Sequence, residues 1–334
     1  MKLVVTGGAG FVGSNYVRMT LAQHKDYEVH ILDALTYAGN LENLSDCANN
    51  PRFKFTHGNI LDSEVVNKLA QGADAIINFA AESHVDRSIL APGEFIQTDV
   101  AGVYTLLEAA RKAGHNRFLH VSTDEVYGTI ADGSFKEGDP LEPNSPYSAS
   151  KAGGEMQVRA FFATYGLNTL VTRGSNTFGP YQYPEKLIPL FVTNLIDNIP
   201  VPVYGDGKQV RDWFFVEDHC SAIDHVLHHG KPGEVYNVGG GNERENIEIV
   251  RAMLSRLGKP DTLIRYVEDR PGHDRRYSLN TEKMTALGFR PGGNFEERLN
   301  ETIDWYVNNE QWWRAVKNKP DYNSFMQTWY KDRK

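Results

Sequence analysis

Tyr147 and Lys151 are the first residues whose types and spacing indicate chemistry. They lie four positions apart near the start of an apparent helix, so both side chains can share one face. A tyrosine has an ordinary pKa of about 10, too high for a base at neutral pH. A neighbouring ammonium stabilises the phenolate and lowers that pKa. The pair predicts a proton-abstracting base, although the same spacing is also common on surface helices.

A second group of reactive side chains, Thr123, Asp124 and Glu125, stands in the segment 121–128, VSTDEVYG. Adjacent carboxylates in a loop are usually solvated. This segment, however, directly follows a predicted strand, and loops at the carboxyl ends of parallel strands line the ligand crevice. Oxidation of an alcohol needs only one base. Two carboxyl groups beside Tyr147 therefore indicate further proton transfers.

A glycine-rich turn follows the first predicted strand. Gly7, Gly10 and Gly13 have the spacing G-x-x-G-x-x-G, which lets backbone amides approach a pyrophosphate and packs a helix against the strand. Asp33 ends the second predicted strand, 20 positions after Gly13, where a carboxylate accepts hydrogen bonds from a ribose hydroxyl. Because it would repel a 2′-phosphate, the pattern predicts NAD as the cofactor.

These side chains are positioned by strands that alternate with helices. Strands are predicted at 3–6, 27–33, 53–57, 75–79, 118–122 and 169–172, with helices near 11–24, 62–71, 93–114 and 147–166. Such alternation gives parallel strands with crossover helices. The predicted fold class is α/β: a Rossmann-like, doubly wound parallel sheet with a smaller α/β substrate-binding domain.

The second half of the chain is richer in Pro, Tyr and Trp from about Asn176 onward. Helices are predicted at 187–197, 246–257 and 295–308, and Asp212–Val216 is predicted to return to the main sheet. We therefore expect interleaved domains. Residues 1–172 plus about 213–238 would bind NAD, and residues 173–212 plus about 239–334 would bind the substrate.

Composition excludes several classes of protein. The chain has 334 residues, 40% of them hydrophobic, and a net charge of −8, which argues against nucleic-acid and anionic-membrane partners. No apolar run approaches the roughly 18 residues needed to span a bilayer. Cys47 and Cys220 are too few for a disulfide framework. A cytoplasmic location is the expectation.

The chain resembles the extended branch of the short-chain dehydrogenase family, and more closely the dTDP-glucose 4,6-dehydratases. Besides 121–128, the resemblance rests on the motifs AAESHVDRS at 80–88, YQYPEKLIP at 181–189 and DRPGHDRRY at 269–277. It covers nearly the full length, and these motifs are specific. The activity it implies is that of an NAD-dependent lyase, a hydro-lyase of deoxysugar biosynthesis, in a homodimer formed through helices near 93–114 and 147–166.

The resemblance also implies a reaction. Tyr147, assisted by Lys151 and Thr123, removes the C4 hydroxyl proton while a hydride passes from C4 to NAD. Glu125 then takes the C5 proton, Asp124 protonates the departing C6 hydroxyl, and the hydride returns to C6. The expected product is dTDP-4-keto-6-deoxyglucose. This division of labour requires an ionised Glu125 and a protonated Asp124, so their environments must separate their pKa values.

Two sets of binding residues are implied as well. The catalytic residues are Thr123, Asp124, Glu125, Tyr147 and Lys151. The cofactor set comprises Gly7, Gly10, Phe11, Val12, Gly13, Asp33, Ala34, Leu35, Thr36, Asn59, Ile60, Phe79, Ala80, Ala81, Ser83, Thr98, Ser122, Tyr147, Lys151 and Thr177. The substrate set comprises Ser83, Thr123, Asn176, Lys186, Leu187, Pro202, Tyr204, Arg211, Asn246, Asp269, Arg270, His273 and Tyr277. Its cations suit a diphosphate and its aromatic rings a base or sugar.

Four positions depart from the family pattern. Asn59 replaces an Asp expected to meet adenine, and Asp99 replaces an Asn after Thr98. Gly174 replaces a Cys, and Thr177 replaces an Asn that lies near the nicotinamide in the family. We expect at most a weakened contact from Asn59, and we expect the changes around 174–178 to affect sugar or cofactor geometry, and with it the choice of substrate, more than the chemistry.

Other functions stay open at this stage. A UDP-sugar 4,6-dehydratase, acting on UDP-glucose or UDP-GlcNAc, and an NDP-sugar 4-epimerase share the fold, but an epimerase needs no Asp-Glu pair for loss of water. A catalytically silent NAD-binding regulator is disfavoured by the intact reactive set. Glu217-Asp218-His219-Cys220 superficially resembles a metal cluster. Four consecutive residues do not easily converge on one ion, so no metal is predicted.

Overall fold

The computed structural model describes residues 1–114, 117–331 and 333. Its twelve strands are β1 (Lys2–Thr6), β2 (Glu28–Asp33), β3 (Phe53–His57), β4 (Ala75–Asn78), β5 (Arg117–Thr123), β6 (Thr169–Gly174), β7 (Asn176–Phe178), β8 (Val201–Tyr204), β9 (Val210–Phe215), β10 (Val235–Val238), β11 (Glu243–Glu245) and β12 (Ile264–Val267).

The α-helices of the described residues are α1 (Phe11–Gln23), α2 (Ser63–Ala70), α3 (Val85–Leu90), α4 (Pro92–Ile96), α5 (Val103–Ala113), α6 (Pro146–Tyr165), α7 (Leu187–Ile196), α8 (Val216–His229), α9 (Asn246–Leu257), α10 (Glu282–Leu287), α11 (Phe295–Asn308), α12 (Glu310–Lys317) and α13 (Pro320–Tyr330). Within that part of the chain, none of them has the length and apolar character that crossing a membrane requires.

Seven parallel strands form the central sheet in the order β10-β6-β5-β4-β1-β2-β3. The chain order reverses between β1 and β4, and at such a switch point the connecting loops diverge and open a crevice. The predicted α/β class with a doubly wound parallel sheet is confirmed. Two smaller sheets, β11-β9-β7 and β12-β8, belong to the second half of the chain.

The six strands predicted for the first half are confirmed within one or two residues. The expectation that Asp212–Val216 returns to the main sheet is wrong. This segment forms β9, which pairs with β7 and β11, and β10 supplies the seventh strand of the central sheet. Trp213 and Phe215 bury their side chains in the core of the second half, which favours the smaller sheet. The domain boundaries stay a prediction.

The helix predicted at 93–114 is divided. A widened, π-helical turn at Gln97–Gly102 separates α4 from α5. The turn packs closely on Ile60, since a Cβ on Gly102 would lie 2.4 Å from Cδ1 of Ile60. Turns of this kind often occur at functional sites. Here the turn buries Asp99 and brings Thr98 to the wall of a cavity.

Candidate active site

The glycine loop brings three backbone segments together. Gly7 has φ +69°, and a Cβ there would lie 2.5 Å from the amide nitrogen of Ala80. A Cβ on Gly13 would lie 2.3 Å from the carbonyl oxygen of Gly7, so only glycine lets α1 approach the loop. Helix α1 begins after Gly10 without a side-chain cap, which leaves its first amides available to an anion. This cradle fits a pyrophosphate.

Asp33 is fixed at the carboxyl end of β2. Its Oδ2 accepts a hydrogen bond from the amide of Ala9 at 2.9 Å, and its Oδ1 accepts one from the amide of Leu35 at 2.8 Å. Burial raises the pKa of this carboxyl, and the two amides oppose that shift. Each oxygen keeps a further lone pair for a ribose hydroxyl. The arrangement fits the adenosine half of a dinucleotide.

One cavity runs along the carboxyl ends of the central strands. Every residue of the predicted cofactor set lines it except Leu35, whose backbone amide orients Asp33 instead. Asn59 lines the cavity, but its Oδ1 already accepts the amide of Leu61 at 2.9 Å. The amide oxygen of Asn59 therefore holds the local turn, as a carboxylate oxygen at this position also would.

Helix α6 presents Tyr147 and Lys151 to this cavity. The helix begins with a reciprocal cap in which Ser145 and Ser148 bond each other's backbone amides at 3.1 Å. Lys151 Nζ donates to the carbonyl oxygen of Val121 at 2.8 Å, which ties the helix to β5. Burial lowers the pKa of Lys151, against the charge of Asp99.

The charges around Tyr147 differ from the sequence-based expectation. Burial raises the pKa of the Tyr147 phenol well above its ordinary value, and the carboxylates of Glu125 and Asp99 add to the shift. A hydrogen bond with Thr123 opposes them. In the described residues, burial and these carboxylates therefore outweigh the lowering expected from Lys151, and the contribution expected from the nicotinamide charge stays a prediction. Ionisation of Tyr147 needs positive charge that ligands bring to the cavity.

Thr123, Asp124 and Glu125 lie where β5 ends and a short 3-10 turn, Asp124–Tyr127, begins. Thr123 caps the turn: its Oγ1 accepts the amide of Glu125 and donates to Asp124 Oδ1, both at 3.2 Å. Asp124 is 2% exposed, and within the described residues its Oδ2 has no hydrogen-bond partner.

The two carboxyl groups have different electrostatic surroundings. Burial and then the charge of Glu125 raise the pKa of Asp124 well above its ordinary value. Burial also raises the pKa of Glu125, but Arg270, Lys186 and Arg211 all oppose that shift. The surroundings therefore favour the protonated form of Asp124 more strongly than that of Glu125, whose ionised form three cations stabilise.

A second cavity adjoins the first. Ten of the predicted substrate residues line it: Asn176, Lys186, Leu187, Pro202, Tyr204, Arg211, Asn246, Arg270, His273 and Tyr277. Ser83 and Thr123 line the first cavity instead. Glu125, Asn176 and Lys186 line both, so the cavities meet beside the reactive carboxylates. Asp269 lines neither, and its carboxylate instead contacts His273 Nδ1 at 2.5 Å.

The second cavity is built for an anion. Arg211 is 4% exposed, and its guanidinium donates to the backbone carbonyls of Val210 and Asp274 at 2.8 and 2.9 Å. Within the described residues it forms no ion pair, so its charge is left for a ligand. Burial lowers the pKa of Arg211, and burial with the nearby Arg270 and Arg211 charges lowers that of His273 to about 4. A bound diphosphate would neutralise this cluster.

Sequence reasoning missed part of the second cavity. Asp86 pairs with Arg270 at 2.8 Å and accepts a hydrogen bond from Tyr204 at 2.8 Å. Asp86 lies inside the motif at 80–88, and that motif was the feature of the sequence that could have identified it as a site residue. Tyr330 and Trp329 reach Tyr204 from the C-terminal helix α13. No local pattern indicated that this helix closes the substrate cavity.

Gly174 and Thr177, two of the positions that depart from the family pattern, both contact His219. A Cβ on Gly174 would lie 2.7 Å from Nε2 of His219, so the imidazole occupies the space of a side chain there. Thr177 Oγ1 donates to the carbonyl of Ser175 at 3.2 Å and lies 2.7 Å from His219 Nδ1. The imidazole must therefore donate from Nδ1. Burial lowers its pKa to about 4 and keeps it neutral.

Asp99 is a buried carboxyl close to Tyr147 and Lys151. Its Oδ2 accepts the hydroxyl of Ser150 at 2.6 Å, and its Oδ1 accepts the amide of Glu82 at 3.1 Å. Burial raises the pKa of Asp99 to about 6, against the charge of Lys151. Glu82 lines the cofactor cavity, and burial together with Asp99 raises its pKa to about 7. The Asp at position 99, where the family has an Asn, thus adds a titratable group close to Tyr147.

Together, the glycine cradle, the Tyr147–Lys151 pair and the adjoining cationic cavity define a dinucleotide-dependent enzyme of the extended short-chain dehydrogenase type, with a site for a sugar nucleotide. The sequence profile of the GDP-mannose 4,6 dehydratase family matches residues 4–302.

Several relatives are similar over nearly the whole chain. A dTDP-glucose 4,6-dehydratase of Xanthomonas campestris is 51% identical, with coverage of 94% of this chain and 95% of the relative. One from Streptomyces niveus is 48% identical, with coverage of 96% and 97%. The crystal structure of DesIV, a dTDP-glucose 4,6-dehydratase from Streptomyces venezuelae with NAD and TYD bound, has a TM-score of 0.93 at 51% identity and covers 95% of this chain and 100% of its own. The chain belongs to the dTDP-glucose 4,6-dehydratases.

Gly174→Ala tests the packing against His219. The added methyl overlaps the imidazole, so we expect the free energy of unfolding to fall by about 1–3 kcal/mol in urea titrations. The double variant Gly174→Ala/His219→Ala should recover part of that loss, because the space is then open. Gly138→Ala is the control, since no atom lies within 4 Å of a Cβ there. Equal effects at 174 and 138 would contradict the packing argument.

Asp99→Asn tests the buried carboxyl. Its folded pKa of about 6 lies above the unfolded value of about 3.9, so the native protein loses relative stability as the pH rises through that window. The variant should match the wild type below pH ~4 and exceed it by up to about 3 kcal/mol above pH ~6. Urea titrations across this range measure the difference. Asp26→Asn, at an exposed position, controls for the chemical change. A constant difference would refute the assignment.

Proposed function

We propose that this enzyme converts dTDP-glucose to dTDP-4-keto-6-deoxyglucose by C4 oxidation, elimination of water across C5 and C6, and hydride return to C6. The observation that carries the proposal is the position of Asp124 and Glu125. They lie beside Tyr147, where the dinucleotide cavity meets the cationic cavity. An oxidation without elimination would not need this second pair of proton-transfer groups.

The cofactor of the proposal is NAD. Gly10 and the first amides of α1 would hold its pyrophosphate, and Asp33 would accept its ribose hydroxyls. When bound, NAD supplies a reversible hydride acceptor, so the net reaction is redox-neutral. The carboxylate of Asp33 disfavours the 2′-phosphate of NADP at the same place.

Tyr147 is proposed as the base for the C4 hydroxyl. Its phenol lies beside Thr123, which orients the sugar hydroxyl and hydrogen-bonds the phenol. Lys151, fixed to the carbonyl of Val121, supplies positive charge on the same helix. Positive charge from the ligands must outweigh the carboxylates that raise the pKa of Tyr147.

Glu125 and Asp124 are proposed to perform the elimination. Glu125, whose ionised form the cations of the second cavity stabilise against burial, takes the C5 proton, which the C4 ketone has made acidic. Asp124, kept protonated by burial and by Glu125, donates to the C6 hydroxyl as it leaves. The same groups serve in reverse when C5 is reprotonated. Each carboxyl thus begins in the protonation state that its step requires.

Arg211, Arg270 and Lys186 are proposed to bind the diphosphate, with Asn246 as a further donor. Tyr204 and Tyr277 offer aromatic surfaces for the base or sugar, and the Arg211 guanidinium lies 4.2 Å from the centre of the Tyr277 ring. Thymidine is favoured over uridine by the names of the close relatives. A UDP-sugar 4,6-dehydratase and an NDP-sugar 4-epimerase remain the alternatives.

The direct test offers purified enzyme dTDP-glucose, UDP-glucose and UDP-N-acetylglucosamine in separate reactions. Mass spectrometry then follows the loss of one water molecule. We expect dTDP-glucose to be consumed fastest. Preference for either uridine substrate would change the substrate assignment, and isomerisation without loss of water would identify an epimerase. Consumption of none of the three would overturn the proposal.

Asp124→Asn should separate oxidation from elimination. The amide cannot protonate the leaving hydroxyl, so we expect kcat to fall at least about a hundredfold. C4 oxidation persists, which gives NADH absorbance without the 4-keto-6-deoxy product. Asp132→Asn, at an exposed position of the following loop, should leave turnover unchanged. Glu125→Gln should also abolish water loss, whereas an epimerase would tolerate it. Unchanged turnover in Asp124→Asn would contradict the proposed acid.

A homodimer is proposed as the functional form, with a cytoplasmic location. Of the twelve exposed large hydrophobic residues in the described part of the chain, six lie on helices α3 to α6: Leu90, Ile96, Tyr104, Met156, Phe162 and Tyr165. Exposed apolar residues concentrated on neighbouring helices favour a protein interface. Both cysteines are free thiols, which suits a reducing compartment.

Tyr104→Glu combined with Met156→Glu tests this interface. Charges at these two exposed positions would be buried on association, so we expect a shift from dimer to monomer at micromolar concentration. Size-exclusion chromatography with light scattering measures the mass. Tyr266→Glu, at 51% exposure on β12, is the matched control and should stay dimeric. A wild-type monomer would refute the proposed assembly.

A further inference from the structure

One cluster of metal-ligating side chains lies outside the catalytic cavities. Within residues 1–114, 117–331 and 333, His24, Asp224 and His228 form the group whose ligand atoms all lie within 4.8 Å of one another. His24 stands at the carboxyl end of α1, and the other two lie one helical turn apart on α8. Helices α1 and α8 pack against each other, which brings together residues 200 positions apart in sequence.

The distances in this cluster match a tetrahedral metal site. His24 Nε2 lies 3.1 Å from Asp224 Oδ2, and His228 Nδ1 lies 3.5 Å from the same oxygen. Zinc binds imidazole nitrogen and carboxylate oxygen at about 2.0–2.2 Å, so neighbouring ligands of a tetrahedral ion are separated by roughly 3.3 Å. Asp224 Oδ2 therefore lies at about the separation from each imidazole that one ion would impose, and the two imidazole ligand atoms lie within 4.8 Å of each other.

The groups behind these ligands also suit a metal. Tyr16 donates a hydrogen bond to Asp224 Oδ1 at 3.2 Å, which leaves Oδ2 for the ion. Tyr27 lies 2.7 Å from His228 Nε2 and stacks on His24 with ring centres 4.3 Å apart. Hydrogen bonds of this kind orient metal-binding carboxylates and imidazoles.

One rearrangement is required. His228 Nδ1 lies 2.7 Å from the carbonyl oxygen of Asp224, so the imidazole carries its proton on Nδ1 when it donates there. Binding an ion through Nδ1 breaks this hydrogen bond, so the imidazole must rotate to turn Nδ1 from the carbonyl toward the ion and must carry its proton on Nε2.

An ion can reach the cluster. The side chains of His24 and His228 are each 24% exposed, and that of Asp224 is 15% exposed. Partial exposure admits an ion and leaves a fourth position for water. Two imidazoles with one carboxylate suit zinc and the neighbouring divalent transition metals, whereas magnesium and calcium prefer oxygen ligands.

We propose that His24, Asp224 and His228 bind one divalent transition-metal ion of the zinc class, which joins the end of α1 to α8. The site is separate from the proposed catalytic function. Its link to the cofactor is structural, because α1 begins at the glycine loop and His219 near the start of α8 lines the cofactor cavity. The ion would hold these two helices together beyond the cavity.

The test uses the full-length enzyme with its natural cofactor content after treatment with a chelator. Isothermal titration with ZnCl2 should give one site per chain, and CoCl2 should give the intense visible absorption of a tetrahedral ion. His24→Gln and His228→Gln should each weaken zinc binding at least about tenfold. His229→Gln is the matched control, because it lies exposed on the same helix and outside the cluster.

Thermal unfolding supplies a second readout. Saturating zinc should raise the Tm of the wild type and of His229→Gln, but not that of His24→Gln. MgCl2 should have no such effect. Absence of stoichiometric zinc and cobalt binding by the wild type would overturn the proposal, and that result needs no variant to fold. Equal binding by wild type and His24→Gln would also overturn it, because the ion would then lie elsewhere.

Discussion

The arrangement of the active site depends on how helix α6 is held against strands β5 and β6. Two charged contacts hold it there: Lys151 Nζ to the carbonyl of Val121 at 2.8 Å, and the buried Glu155–Arg173 pair at 2.6 Å. On another side of the helix, Gly154 allows close packing on the π-helical turn at Gln97–Gly102, since a Cβ there would lie 2.5 Å from the carbonyl oxygen of Asp99. Breaking a buried pair leaves an uncompensated charge, typically at a cost of about 3–5 kcal/mol. Tyr147 is therefore fixed relative to the strand end that carries Thr123.

The charges around the active site give two chemically similar groups, the carboxyls of Asp124 and Glu125, different pKa shifts. Asp124 and Glu125 are adjacent carboxyls whose pKa values burial raises, but three cations, Arg270, Lys186 and Arg211, oppose the shift of Glu125, whereas the charge of Glu125 adds to the shift of Asp124. The same cations form the anion-binding wall of the second cavity. A bound diphosphate and an ionised Glu125 therefore draw on one cluster of positive charge. Substrate binding and the protonation state of the base are coupled for this reason.

Three residues beside the cofactor cavity, Gly174, Thr177 and His219, depend on one another for their packing and hydrogen bonding. Gly174 has no side chain, His219 fills the space, and Thr177 accepts a hydrogen bond from the imidazole. A change at one of these positions alone would create an overlap or a lost hydrogen bond. Taken one at a time, the departures at 174 and 177 suggested altered cofactor geometry. Their contacts show that both positions pack against the same imidazole, and the expected effect on sugar or cofactor geometry stays a prediction.

Local patterns determined much of this protein before any coordinates. The glycine spacing, the acidic end of β2 and the alternation of strands and helices predicted the fold class and the dinucleotide cavity, because each depends on short-range backbone geometry. The sequence also indicated Tyr147, Lys151 and the Asp124–Glu125 pair. It could not assign β9 to the smaller sheet, place α13 over the substrate cavity, or set the sign of the Tyr147 pKa shift. Those outcomes depend on residues distant in sequence, whose packing and summed charge only the tertiary structure decides.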